Sequence, residues 1–122
     1  MKFEQIISSL QKKDYQPIYF LMGEESFYID KISDYISKNV LDASEKDFNQ
    51  HIFYGKDSEV NTIISTAKQF PLMGKYNVVI VKEAQELKNI ELLEDYIRQP
   101  LDSTILVICY KNRSIDKRKK LS

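Results

Sequence analysis

Two short segments of this chain have the setting for phosphate chemistry, and both are spoiled for it. The first is Gly23-Glu24-Glu25-Ser26-Phe27-Tyr28, which follows the apolar run Pro17-Ile18-Tyr19-Phe20-Leu21-Met22 and opens a helical pattern. A strand-to-helix turn of this kind cradles phosphate when it reads G-x-x-x-x-G-K-[ST], with backbone N–H groups and one lysine on the anion. Here it carries one glycine, no lysine and two carboxylates. A helix N-terminus that would attract triphosphate already holds negative charge. The second segment is Val81-Lys82-Glu83-Ala84-Gln85, at the end of an apolar strand pattern. A nucleotide-hydrolysing strand ends in carboxylates that hold Mg²⁺ and polarise water. Lys82 stands about where the metal-binding Asp belongs. Glu83 falls near the place of a catalytic Glu, lacks its partner, and reads as a solvated helix-start residue. A phosphoacceptor site would need an Asp at this strand end beside an acidic pair. Glu24 and Glu25 offer the pair, but no Asp is supplied.

The remaining reactive side chains are isolated. His51 falls inside an apolar stretch with no Ser or Cys in a suitable context, and reads as a packed or edge histidine. Cys109 lies in a fully apolar run and reads as a small core residue. One Cys and one His make neither an internal disulfide nor a zinc site. The expectation is therefore no catalytic residue, no cofactor and no metal.

Composition narrows the partners. The chain has 122 residues, enough for one domain over one core, with 43% hydrophobic and 30% charged residues. Lys plus Arg number 18 and Asp plus Glu number 18, a net charge of zero. A free-standing DNA-binding domain carries basic excess, so the balance argues against one while leaving a protein partner open. No apolar run approaches the roughly 18 residues of a membrane helix, and Met1-Lys2-Phe3-Glu4 breaks its pattern too early for a signal peptide. The expected location is cytoplasmic, with no membrane. The end, Ser114 to Ser122, closes on no strand or cap and reads as a cut from a longer chain. Its basic run Lys117-Arg118-Lys119-Lys120 reads as a solvated face.

The elements that would position these residues alternate. Phe3, Ile6, Ile7 and Leu10 mark a short amphipathic helix. The run Pro17–Met22 reads as a strand buried on both faces, ended by Gly23. Ile29, Ile32, Ile36 and Val40 give the next helix its stripe. Asn49 to Tyr54 predicts a second strand ended by Gly55. Asp57 or Ser58 is then expected to cap a helix carrying Val60, Ile63, Ile64 and Ala67. Asn77–Val81 is the clearest strand. Ile90, Leu93, Tyr96 and Ile97 predict a helix before Pro100, and Thr104–Tyr110 another buried strand. Strands alternating with helices predict an α/β fold: a three-layer parallel-sheet sandwich of the P-loop or flavodoxin type. Such folds host many functions.

The most informative segment joins the helix at 60–67 to the strand at 77–81: Lys68-Gln69-Phe70-Pro71-Leu72-Met73-Gly74-Lys75-Tyr76. Helix-to-strand loops are usually polar. Phe70 is expected to tuck onto the core as the helix ends. Leu72 and Met73 stand just before a glycine turn and cannot both point inward, so they are expected to be exposed, as a plug for a pocket.

The order Phe20-Leu21-Met22-Gly23-Glu24-Glu25, a helix, then Phe70-Pro71-Leu72-Met73-Gly74 before Val78-Val79-Ile80-Val81 resembles the bacterial clamp-loader delta subunits of DNA polymerase III. The likeness covers nearly all of the chain, as the first of that family's three domains. It implies residues 1–122 are an AAA+-like N-terminal domain with a degenerate nucleotide site, without the last strand, the lid and the collar. It implies no hydrolysis of ATP here, but binding and opening of the sliding clamp (the beta subunit) by an adjacent hydrophobic pair. By position that pair is Leu72 and Met73. Gln69-Phe70-Pro71-Leu72-Met73, with Gly74 after it, is similar to the general clamp-binding pentapeptide, except that Met73 replaces the usual aromatic. The implied partners are the clamp, the gamma/tau and delta prime subunits, and primer-template DNA through the assembled complex. The alternatives are a generic α/β interaction module or a divergent P-loop NTPase.

Overall fold

The structure, a computed structural model, describes residues 3–23 and 25–111. Strands β1 (Ile18–Gly23), β2 (Gln50–Tyr54), β3 (Asn77–Lys82) and β4 (Thr104–Lys111) form one sheet. All pairings are parallel, in the order β1-β4-β3-β2. A flavodoxin-type sheet would place β1 between β2 and β3. Here β1 and β2 lie on opposite edges, which excludes that arrangement.

The centre of the sheet explains why the strand patterns are continuously apolar. Val78 to Val81 on β3 and Ile105 to Tyr110 on β4 are buried, because helices cover both faces. Alternate residues serve different layers. Val79, Val81, Leu106, Ile108 and Tyr110 pack with Val60, Ile63 and Ala67 of α4 (Val60–Ala67) and with Leu93 and Tyr96 of α5 (Leu93–Arg98). Val78, Ile80, Ile105, Val107 and Cys109 pack with Leu10 of α1 (Phe3–Gln11) and with Ile29, Ile32 and Ile36 of α2 (Ser26–Asn39). That is the three-layer sandwich expected from the alternation. Cys109 is a buried core residue, and burial pushes its thiol up from the ordinary value. His51 sits half-buried on edge strand β2, and desolvation holds its imidazole below the ordinary value.

Four local expectations need correction. Strand β1, expected to be buried on both faces, is an edge strand on which Ile18 and Phe20 are half-buried and Met22 is exposed. A helix, α3 (Ala43–Asn49), stands before β2 where none was anticipated. Asp42 caps it: its carboxylate accepts from the Glu45 N–H while the Glu45 side chain accepts from the Asp42 N–H. Neither Asp57 nor Ser58 caps α4. Gly55–Asp57 form a 3-10 turn, Ser58 is extended, and Glu59 precedes the helix without a side-chain cap. Gly55 opens the turn against the Glu83 carbonyl, which a Cβ would overlap. The helix expected over 90–97 is a 3-10 turn at Ile90–Leu92 followed by α5. No helix among the described residues is long and apolar enough to cross a membrane. Glu24 and the basic run at 117–120 lie outside the described residues.

Candidate functional site

In open parallel sheets, ligands sit beyond the carboxyl ends of the strands, where neighbouring connections leave to opposite faces. Here that crevice lies beside β1, whose connection α2 covers one face, and the β3–β4 pair, joined through α5 on the other. Gly23 and Lys111 are register partners at its floor. The Lys111 ammonium lies 2.7 Å from Asp30 Oδ1 in the second turn of α2 and 3.3 Å from Glu83 Oε2 just past β3. Gln85 ties the group together. Its Nε2 donates to Glu83 at 2.9 Å, and its Oε1 accepts the Lys111 N–H at 3.0 Å. The hydrogen bond to Asp30 raises the Lys111 pKa above the ordinary lysine value, against burial, which lowers it.

Glu83 stands at the head of the 3-10 turn Ala84–Glu86 with its side chain partly exposed, as a helix-start residue would, but it is not simply solvated. It adopts a left-handed conformation (φ 52°) and joins the ion-paired group. Lys111 and Asp30 were not singled out in the sequence. A lysine closing an apolar strand was the available signal, but its partners are 28 and 81 residues away. Chemically the group carries one cation against two carboxylates, with Glu25 at the N-cap of α2 nearby in the chain. It offers a triphosphate no free cation among these residues.

The segment between α4 and β3 has the opposite character. Leu72 is 79% exposed, Phe70 74% and Met73 39%. Leu72 and Met73 are thus outward-facing, as expected, with Leu72 much further out. Phe70 does not tuck onto the core. The space beneath the end of α4 is filled by buried Tyr96 and Thr104, whose hydroxyls donate to the Ala67 carbonyl at 3.3 and 2.7 Å. Phe70 consequently joins Leu72 in solvent.

The loop backbone is held at both ends. Asn77 Nδ2 donates to the Gln69 carbonyl at 2.8 Å. Asn49 Nδ2 donates to the carbonyls of Met73 and of Tyr76, the latter at 3.0 Å. The Tyr76 ring meets Tyr15 edge-on at 5.5 Å between centroids. Gly74 has φ +63°, a left-handed turn, and a Cβ there would overlap the Glu45 carboxylate of α3. The predicted residues 69–74 are therefore brought together by one loop. The residues sequence reasoning missed are the supports, Asn49, Asn77 and Thr104. The only sign of them was a polar residue at the head of two apolar strands and at the end of a helix.

Fold and site define a class: a three-layer α/β sandwich that closes its strand-end crevice with its own charges and presents an apolar loop. The model of the family "DNA polymerase III, delta subunit" matches residues 19–122, and the chain belongs to that family. A DNA polymerase III subunit delta from Bacillus subtilis (strain 168) is 32% identical over 124 residues, covering 93% of this chain and 36% of that protein. The solved structure of the Bacillus subtilis DNA clamp loader delta protein matches with a TM-score of 0.85 at 29% identity, over 98% of this chain and 38% of that one. The chain thus spans little more than a third of these relatives.

Proposed function

We propose that this chain is the AAA+-like N-terminal domain of a clamp-loader delta subunit, and that it binds the sliding clamp through the loop tip and favours the open ring without hydrolysing ATP. The observation that carries the reading is the outward projection of Phe70 and Leu72, with Met73 beside them, from a loop whose backbone is held. Apolar side chains clustered in solvent mark interaction surfaces, and Phe70 and Leu72 are the most exposed large apolar side chains among the described residues. Burying Leu72 and Met73 would contribute about 3–5 kcal/mol at about 25 cal/mol per Å². Phe70 enlarges the plug beyond the pair expected from sequence and supplies the aromatic that position 73 lacks.

Opening then needs no chemistry. A partner that binds the open ring better than the closed one shifts the population toward open. The paired charges of Lys111, Asp30 and Glu83 support assigning ATP use to sister subunits, gamma/tau acting with delta prime. Primer-template DNA is reached through the assembled complex in the cytoplasm.

The test is surface plasmon resonance of the chain against the sliding clamp of its own organism, beside a Leu72→Ala/Met73→Ala double variant. Binding at micromolar Kd or tighter that the variant loses is the expected result. No binding by folded wild-type chain, or equal binding by both, would overturn the reading in favour of a generic interaction module.

A further inference from the structure

We propose that Asn49 and Asn77 are positioning residues that hold the 69–76 loop in its projecting conformation before any partner arrives. The inference builds on the reading of that loop as a docking element, but its first consequence is a property of the free chain. Four polar side chains are buried among the described residues: Ser33, Asn49, Asn77 and Thr104. Three of them donate to carbonyls of one short stretch: Thr104 to Ala67, Asn77 to Gln69, and Asn49 to Met73 and Tyr76. Burying an amide is costly unless it is hydrogen-bonded, so such groups order whatever they bond to.

Asn49 makes the argument sharpest. It is fully buried at the end of α3, and its Oδ1 has no hydrogen-bond partner among the described residues. What the side chain supplies is its two donors, and both reach the loop. The amide orientation follows from the network, since the flipped form would set an oxygen against two carbonyls.

The arrangement has a purpose a polar loop would not need. Phe70 and Leu72 gain nothing from water, and an unrestrained loop would fold them back against apolar surface. Holding the carbonyls on either side keeps the tip out. A partner then meets a loop already in its bound shape, and the ordering cost of docking is reduced. Gly74 completes the device, because glycine adopts φ +63° without strain, and any Cβ there would have to move the Glu45 carboxylate aside.

The experiment combines backbone NMR order parameters of the free chain with clamp-binding kinetics for Asn49→Ala, Asn77→Ala and Gly74→Ala. Gly74→Ala perturbs the loop from its exposed side, so it serves if a buried asparagine variant does not fold. Expected in each variant is a fall in order parameters over 69–76 to below about 0.6, with core strands β3 and β4 still rigid. Clamp binding should weaken about tenfold in the same variants. That loss should shrink in a Leu72→Val background, because the asparagines act through the tip. A merely structural role would lower stability equally in both backgrounds and leave no such coupling. Unchanged order parameters over 69–76 would overturn the proposal, and so would a loosened loop with unchanged clamp affinity. If the wild-type chain binds no clamp, the docking reading fails by itself, and the order parameters alone decide whether the asparagines hold the loop.

Discussion

Beyond β1, β3 and β4 the side chains are charged and turned toward one another, with Lys111 between Asp30 and Glu83. Between α4 and β3 the side chains are apolar and stand in solvent, and it is the backbone that is satisfied from within, by Asn49 and Asn77. The first region lies where parallel α/β folds usually keep a ligand, and its functional groups answer each other. The second lies where such folds usually have an unremarkable connection, and its side chains point away from the core. The difference is one of where the polar groups are answered: among the side chains in the first region, and along the backbone in the second.

The comparison would break most visibly at the loop tip. Leu72→Ala and Phe70→Ala are each expected to weaken clamp binding about 30-fold, and Met73→Ala about fivefold, in the order of their exposure. Folding stability should stay within about 0.5 kcal/mol of wild type, since these side chains already face water. Binding kinetics with urea denaturation would check both; a large stability loss at Leu72 would mean the tip is packed after all.

The ion-paired group comes next. Lys111→Met leaves two carboxylates without their cation and should destabilise the fold by about 1 kcal/mol, a modest figure because water around Asp30 and Glu83 screens the pair. The Lys111 pKa is raised in the folded state. Its contribution is therefore complete below the ordinary lysine value and is lost as pH rises through the higher folded value. Urea midpoints of wild type and Lys111→Met should differ at neutral pH and converge in strongly alkaline solution.

A smaller effect is expected at α3, which carries Asn49 at its end. The Glu45 N–H lowers the Asp42 pKa, so the cap is present above the ordinary aspartate value and is lost as pH falls through the lowered one. Asp42→Ala should speed amide exchange in the first turn of α3 at neutral pH, and the gap from wild type should close in acid. The smallest shift belongs to nucleotide. ATP with Mg²⁺ at about 1 mM should leave the thermal midpoint within about 0.5 °C of a control, because a ligand stabilises only what it binds. A clear upward shift would mean that the charged group yields its place, and the contrast between the two regions would fail.

Much of this was legible before the fold. Continuous apolar runs at 18–22, 78–81 and 105–110 read as doubly covered strands; the latter two are, while the first is an edge strand with Ile18 and Phe20 half-buried and Met22 exposed. The missing lysine and second glycine after β1, and Leu72 with Met73 before a glycine turn, were readable because local chemistry sets them. Helix α3 was passed over although Asp42 and Glu45 stand at capping-box spacing, because the residues after them are charged and lack an apolar stripe. Phe70 was misread for a different reason: whether an aromatic at a helix end finds room depends on what already fills the space. Here that is Tyr96 and Thr104, from elements 29 and 37 residues beyond Ala67.

By itself, the amino-acid sequence determined the alternation of strands and helices, the spoiled phosphate turn and the apolar tip, since periodicity, turn chemistry and charge act between near neighbours. Only the tertiary structure decided the strand order, the placing of Phe70 in solvent, the meeting of Lys111 with Asp30 and Glu83, and the support of the loop by Asn49 and Asn77. Each of those rests on groups far apart in the chain that come within hydrogen-bonding or packing distance only when the sheet has formed between its two helical layers.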